Sequence, residues 1–299
     1  MTRIAVLGAG LMGHGIAQVF AVAGHHVSVY DPAQASLDAL HGRVRKNLQD
    51  LDQNLSAIDR IRPCADLGDA VREAEFVVEA ALEDLSIKQA LFAQVESLAQ
   101  RDPVIASNTS VIPITQIMSG LTQRHRALGT HWWNPPFLIP LVEVIGTEWT
   151  DPTVIAWTIA LHEGIGKTAV HVRRDVPGFI GNRLQHALWR EAIALVQNGV
   201  CDAETVDAVV KASFGMRLAV LGPLENADLV GTDLTAAIQH TLLGDLDRSV
   251  DTQPYLATLV GEGKLGMKSG EGFRSWTKEE QAELRAKLVK HLIKQAVLL

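Results

Sequence analysis

A short apolar run, Ile4 to Leu7, is followed at once by Gly8-Ala-Gly10-Leu11-Met12-Gly13. An apolar stripe of helical spacing then runs through Ile16, Ala17, Val19, Phe20 and Ala23 to Gly24. A second apolar run, His26 to Tyr30, ends in Asp31. Together these read as strand, tight glycine turn, helix and strand: one βαβ unit with buried parallel strands. In such a unit the first glycine permits the turn, the second lets the backbone approach a pyrophosphate, and the third lets helix and strand pack closely. The helix N-terminus offers unpaired amides and a positive dipole end to the phosphates. Gly8, Gly10, Leu11, Met12 and Gly13 are therefore expected to form a dinucleotide-binding turn. Asp31 selects the cofactor. A carboxylate there accepts hydrogen bonds from the adenosine ribose hydroxyls and repels a 2′-phosphate. Pro32-Ala33-Gln34 supplies no arginine for that phosphate, so NAD is expected rather than NADP.

More alternation follows. Phe76 to Ala80, Val104 to Ser107, Arg126 to Trp132, Leu141 to Ile145 and Thr168 to Val172 read as strands, with a helix over Leu85 to Leu98 and another opening at Pro113. This pattern predicts a mostly parallel sheet covered by helices. After Asp175-Val-Pro177-Gly178 the strand signals stop. Helical spacing then dominates, from Phe179 toward Gly199, after the cap Asp202, and between the breaks at Gly222-Pro223 and Gly231. The expected fold class is α/β: a Rossmann-type, mostly parallel sheet domain over residues 1–176, followed by an all-helical domain over 177–299. A length of 299 residues suits two domains.

The net charge of −7 gives no electrostatic pull toward nucleic acid or acidic membranes. No apolar run reaches the ~18–20 residues of a membrane helix. Cys64 and Cys201 are far apart and in no metal-type spacing, so no metal is expected. With no basic-then-apolar leader, they point to a reducing, cytoplasmic compartment. The partner is expected to be a small molecule.

The strand Leu141-Val-Glu143-Val-Ile145 holds one carboxylate among aliphatic residues. A buried, unpaired carboxylate is costly. Glu143 therefore either faces solvent or has a partner, and His131, at the end of a preceding strand, is the natural candidate. A His–Glu pair fixes the imidazole tautomer and suits a general base for an alcohol. A structural strand histidine is the alternative.

Ser107-Asn-Thr-Ser110, His131-Trp-Trp-Asn-Pro-Pro136, Leu141-Val-Glu-Val144 and Pro177-Gly-Phe-Ile-Gly-Asn-Arg183 resemble, in order and spacing, the signature of the L-3-hydroxyacyl-CoA dehydrogenase family. Gly222-Pro-Leu224, Gly263-Lys-Leu-Gly266 and Gly270-Glu-Gly-Phe273 resemble its helical domain. The resemblance reaches to about Trp276. It implies that His131 is the catalytic base and Glu143 its partner. Ser110 and Asn182, the latter from the second domain, would hydrogen-bond the substrate oxygen. Asp31, Glu83, Lys88 and Asn108 would line the NAD site, with Ala80 contributing its backbone. It also implies a homodimer and the 3-hydroxyacyl-CoA chemistry of fatty acid metabolism.

The chain departs from that pattern in three places. The family follows its second strand with a long helical hairpin carrying serine and lysine contacts to coenzyme A. Here Gln34 to Ile61 is short, and its basic residues are Arg43, Arg45 and Lys46, either coenzyme A contacts or a solvated helix face. The aromatic pair after the histidine is Trp132-Trp133, which either narrows or stacks the substrate or belongs to the core. Beyond the usual end, Thr277 can cap a helix of Lys278 to Leu299. These departures are similar to a branch acting on non-CoA compounds, such as pyridine aldehydes of vitamin B6 breakdown or free hydroxy acids. The expected activity is thus NAD-dependent interconversion of an L-3-hydroxyacyl-CoA or related 3-hydroxy acid and its keto form. The alternatives are the same chemistry on a non-CoA alcohol or aldehyde, or a non-enzymatic, crystallin-like NAD-binding protein.

Overall fold

The computed structural model describes residues 1–296. The chain divides into two compact units, one of residues 1–183 with the stretch beginning at Val289, the other of 184–288. Eight strands lie in the first unit: β1 Arg3–Leu7, β2 His26–Tyr30, β3 Ile61–Cys64, β4 Phe76–Glu79, β5 Val104–Ser107, β6 Ala127–Trp132, β7 Leu141–Ile145 and β8 Thr168–Val172. They form one sheet in the order β3-β2-β1-β4-β5-β6-β7-β8. Pairing is parallel throughout except between β6 and β7.

The connecting helices are α1 Gly13–Val22, α2 Gln34–Asp50, α3 Leu67–Val71, α4 Leu85–Leu98, α5 Ile114–Met118 and α6 Pro152–Glu163. Strand alternation splits the core into two layers. Ile4 and Val6 of β1 join Phe20 of α1, Leu40 and Leu48 of α2, Val154 of α6 and Trp132 of β6 on one face. Ala5 and Leu7 join Val71 of α3, Phe92 of α4 and Ile114 and Met118 of α5 on the other. Burial on both faces explains the nearly continuous apolar strands.

Among the strands and α-helices of the sheet unit, three are absent from the sequence reading. β3 is short, sits at the sheet edge and contains Pro63, which a ladder tolerates only there. α3 is a single turn or so, capped by Asp66, whose side chain accepts from Asp69 N. α6 begins at Pro152 and is apolar nearly all round, so no stripe marks it.

The chain then continues as α7 Gly181–Gln197, α8 Ala203–Ala212, α9 Pro223–Val230, α10 Thr232–Leu242, α11 Pro254–Gly261 and α12 Lys278–Ala296. Asp202 caps α8 through Thr205 N. Thr277 and Glu280 cap α12 reciprocally: Glu280 N donates to Thr277 Oγ1 and Thr277 N to Glu280 Oε2. The expected end of that helix, 297–299, lies outside the described residues. The unit 184–288 buries little of itself. α8, α9 and α10 contain no buried residue.

Candidate active site

Between β1 and β4 the strand order reverses, and there the carboxyl ends of parallel strands open a crevice. The glycine turn sits at its edge. Gly8 has φ +113°, and a Cβ on it would come within 2.5 Å of Ala80 O. A Cβ on Gly13 would meet Gly8 O at 1.8 Å. Neither position admits a side chain. Gly10 is different: a Cβ there would meet nothing within 4 Å, so its backbone faces open space of the kind a pyrophosphate needs. Asp31, at the end of β2, holds the turn in place. Its Oδ2 accepts from Ala9 N at 2.7 Å and its Oδ1 from Ala33 N at 2.8 Å. These residues fit an NAD cofactor.

Glu83, Lys88 and Asn108 are all engaged within the protein. Lys88 is buried in α4, with its Nζ 2.6 Å from Glu79 Oε1 and 3.1 Å from Glu83 Oε2. Glu83 Oε1 accepts from Thr109 Oγ1, Ser110 N and Val111 N, and so organises the loop after β5. Burial pushes the Glu83 carboxyl up, but the Thr109 hydroxyl, the Lys88 charge and the Ser110 amide together hold it below its ordinary value. Asn108 Oδ1 accepts from Trp132 N at 2.8 Å. Asn108 therefore ties the β5 loop to β6.

β6 and β7 place the proton-transfer pair. In their antiparallel register His131 lies directly opposite Glu143. Trp132 points to the α1 and α6 face, so His131 points to the other. His131 Nδ1–H donates to Glu143 Oε2 at 2.7 Å, and both residues are buried. Nδ1 is thereby committed, and Nε2 is the nitrogen that can exchange a proton. Glu143 Oε1 accepts from Ile180 N at 2.9 Å and Gly181 N at 3.0 Å, at the start of α7. Burial would raise the Glu143 carboxyl, but the His131 hydrogen bond and the two amides bring it below its ordinary value. This first turn of α7 belongs to the same compact unit as the sheet, which runs to Arg183. Asn182, one residue past Gly181 in that turn, falls in the same compact unit as the sheet. Its Nδ2 donates to Ser110 O at 2.9 Å.

Two aromatic rings flank the imidazole. Trp133 stands 5.4 Å and Phe179 5.5 Å from the His131 ring. Phe179 is 1% exposed and holds a left-handed backbone at φ +50°, uncommon for a bulky residue. Such strain recurs at functional sites.

Sequence reasoning did not single out Glu79 or Lys167, and it noted Ser107 only as the start of the Ser107–Ser110 motif. Glu79 Oε2 accepts from Ser107 Oγ at 2.6 Å, and its Oε1 from Ala81 N at 2.6 Å. The signal was available: Glu79, like Glu143, is a lone carboxylate in an aliphatic strand. Lys167 Nζ donates to Pro136 O at 2.5 Å and Ile139 O at 2.9 Å, fastening the turn between β6 and β7. Burial lowers its pKa to about 8.

A dinucleotide turn ending in an acid, joined to a buried His–Glu pair, defines an NAD-dependent dehydrogenase. The chain belongs to the 3-hydroxyacyl-CoA dehydrogenase family. Residues 3–176 match the family's NAD-binding domain and 178–276 its C-terminal domain. A 5-formyl-3-hydroxy-2-methylpyridine 4-carboxylate 5-dehydrogenase of Mesorhizobium japonicum is 37% identical, covering 97% of this chain and 96% of that one. The crystal structure of a 5-dehydrogenase of that pyridine compound, an NAD+-dependent dismutase, matches with a TM-score of 0.91 at 35% identity, covering 98% of this chain and 97% of that one. The (S)-3-hydroxybutyryl-CoA dehydrogenase of Ralstonia eutropha matches with a TM-score of 0.78 at 30% identity, covering 93% of this chain and all of that one. No helix among the described residues is long and apolar enough to cross a membrane.

Proposed function

We propose that this dehydrogenase oxidises a small, non-thioester alcohol or hydrated aldehyde. One observation carries the reading. Between β2 and β3 the chain has only α2 and a 3₁₀ turn, Leu55–Arg60, in place of the long coenzyme A-contacting hairpin that the family resemblance implies. The basic residues of α2 are partly engaged: Arg43 Nη1 donates to Ala9 O at 3.0 Å, and Lys46 pairs with Asp50 at 2.7 Å. The closer match to the pyridine-compound dehydrogenase than to the hydroxybutyryl-CoA enzyme supports the same reading.

In this reading His131 Nε2 takes the proton of the substrate hydroxyl as the C–H bond on the same carbon breaks. Bound NAD supplies the hydride acceptor. Glu143 holds the proton on Nδ1 and stabilises the imidazolium that results. Ser110 and Asn182 position the substrate oxygen. Gly8, Gly10, Leu11, Met12 and Gly13 cradle the pyrophosphate, Asp31 the ribose, and Ala80, Glu83, Lys88 and Asn108 build the nicotinamide side. Residues 1–176 serve the cofactor, and those from 177 onward complete substrate binding and dimerisation. The dimer is supported by bare apolar helices: Leu224 is 80% and Leu229 72% exposed. The protein acts in the cytoplasm.

The test is absorbance at 340 nm on one panel of acetoacetyl-CoA, longer 3-ketoacyl-CoAs, free 3-hydroxy acids, and pyridine alcohols and aldehydes. Turnover confined to the free compounds is expected. A kcat/KM on thioesters well above that on the free compounds overturns the reading and restores fatty acid metabolism.

A further inference from the structure

The deepest charged group in the sheet unit is not used by the proton transfer. Glu79 is 0% exposed and Lys88 1%. Lys88 bridges Glu79 and Glu83, so two carboxylates share one ammonium. Every group facing Glu79 donates to it. Lys88 Nζ and Ala81 N approach Oε1, and Ser107 Oγ approaches Oε2. The Ser107 oxygen accepts in turn from Thr109 N, which directs its proton to Glu79. Among the described residues no acceptor is recorded against the Glu79 side chain. In formal charge, two carboxylates against one ammonium leave the triad one net negative.

Its place in the fold is specific. Glu79 ends β4 and pairs in register with Leu7, the residue before Gly8. The next residue, Ala80, is the one whose carbonyl oxygen leaves no room for a Cβ on Gly8. The opposite end of the triad, Glu83, holds the Ser110 loop. The charge thus lies beneath the crevice between the glycine turn and the substrate-facing loop.

We propose that the Glu79–Lys88–Glu83 triad biases this site toward the oxidised cofactor, with Glu79 as the residue that sets the charge. The oxidised nicotinamide ring is a cation, and the reduced ring is neutral. With Glu79 and Lys88 buried and Glu83 exposed, the net negative charge stabilises the cation and does nothing comparable for the neutral ring. The pyrophosphate charge is the same in both forms and drops out of the comparison. The bias is independent of which alcohol or aldehyde the site takes.

The experiment measures dissociation constants of NAD+ and NADH by titration, without substrate, for the wild type, Glu79→Gln and Ser107→Ala. Glu79→Gln keeps the shape of the side chain and removes the charge. It should lower the ratio Kd(NADH)/Kd(NAD+) about tenfold, the scale of a single charge–charge interaction within one site. Ser107→Ala disturbs the same network with its charge intact and should leave the ratio unchanged. Equal weakening of both cofactor forms by Glu79→Gln would mean a purely structural role and overturn the proposal. If Glu79→Gln does not fold, Glu83→Gln removes the same unit of charge from the exposed end. An unchanged ratio there overturns the proposal equally.

Discussion

Gly181 lies so close beneath Trp133 that a Cβ on it would come within 2.4 Å of the indole Cζ2. The amide of the same glycine donates to Glu143. One residue thus bears the ring beside His131 and the carboxylate behind it. Gly181→Ala must displace either the indole or the first turn of α7. It should lower stability by ~1–3 kcal/mol, the usual cost of overpacking, and reduce kcat. Adding Trp133→Ala should restore part of the stability. Thermal melts of both single variants and the double variant would show that coupling, and strictly additive losses would contradict it.

The His131–Glu143 pair predicts how a neutral replacement fails. In Glu143→Gln, one carboxamide oxygen can still accept from Ile180 N and Gly181 N, but the NH2 then faces His131 Nδ1. The imidazole must carry its proton on Nε2, where the substrate proton has to go. We expect kcat to fall by ~10²–10⁴-fold with KM little changed, and a similar fall for His131→Ala. Steady-state kinetics on the active substrate decides; a rise in KM at unchanged kcat would remove the assignment.

His162 gives the fold an acid limit. It is fully buried among Phe20, Phe76 and Trp132, with Nδ1 donating to Thr158 O at 2.7 Å. Burial lowers its pKa from 6.5 to about 4. Above pH 6.5 the ring is neutral folded or unfolded. As pH falls from 6.5 toward 4 the unfolded chain takes up a proton that the folded one refuses, so stability drops, and the loss levels off below 4. Each proton corresponds to ~1.4 kcal/mol per pH unit. His162→Phe should flatten urea-midpoint curves by about that slope in this window; parallel curves would exclude the effect.

The exposed apolar helices predict association. Sedimentation velocity should give a dimer at micromolar concentration, and Leu224→Glu with Leu229→Glu should shift it toward monomer. A wild-type monomer would mean that something other than a second copy covers α9 and α10.

Much of this could be read from the residues. β2, β5, β7 and β8 fall where their apolar runs begin and end, and for β5 and β7 burial on both faces makes the run nearly continuous. The Glu143 carboxylate announced itself by standing alone among aliphatics. Glu79 stood in an equivalent setting, but its partners Lys88 and Ser107 lie 9 and 28 residues away, and no local pattern joins them. Asn182 reads as part of a helical segment, yet its neighbour Gly181 is fixed by Glu143, 38 residues earlier. β3 escaped because Pro63 argues against a strand anywhere but at an edge, and edge position is a property of the sheet.

The antiparallel turn-back at β6 and β7 has a consequence for descent. The base and its acid form a cross-strand pair in one hairpin, so a single register sets their geometry. Segments elsewhere, such as the connection from β2 to β3, can be shortened without sliding that ladder. A lineage can therefore exchange what it recognises while inheriting its proton transfer intact. By contrast, an odd-length slip between Trp133 and Pro140 would turn Glu143 to the opposite face and end the chemistry at a stroke.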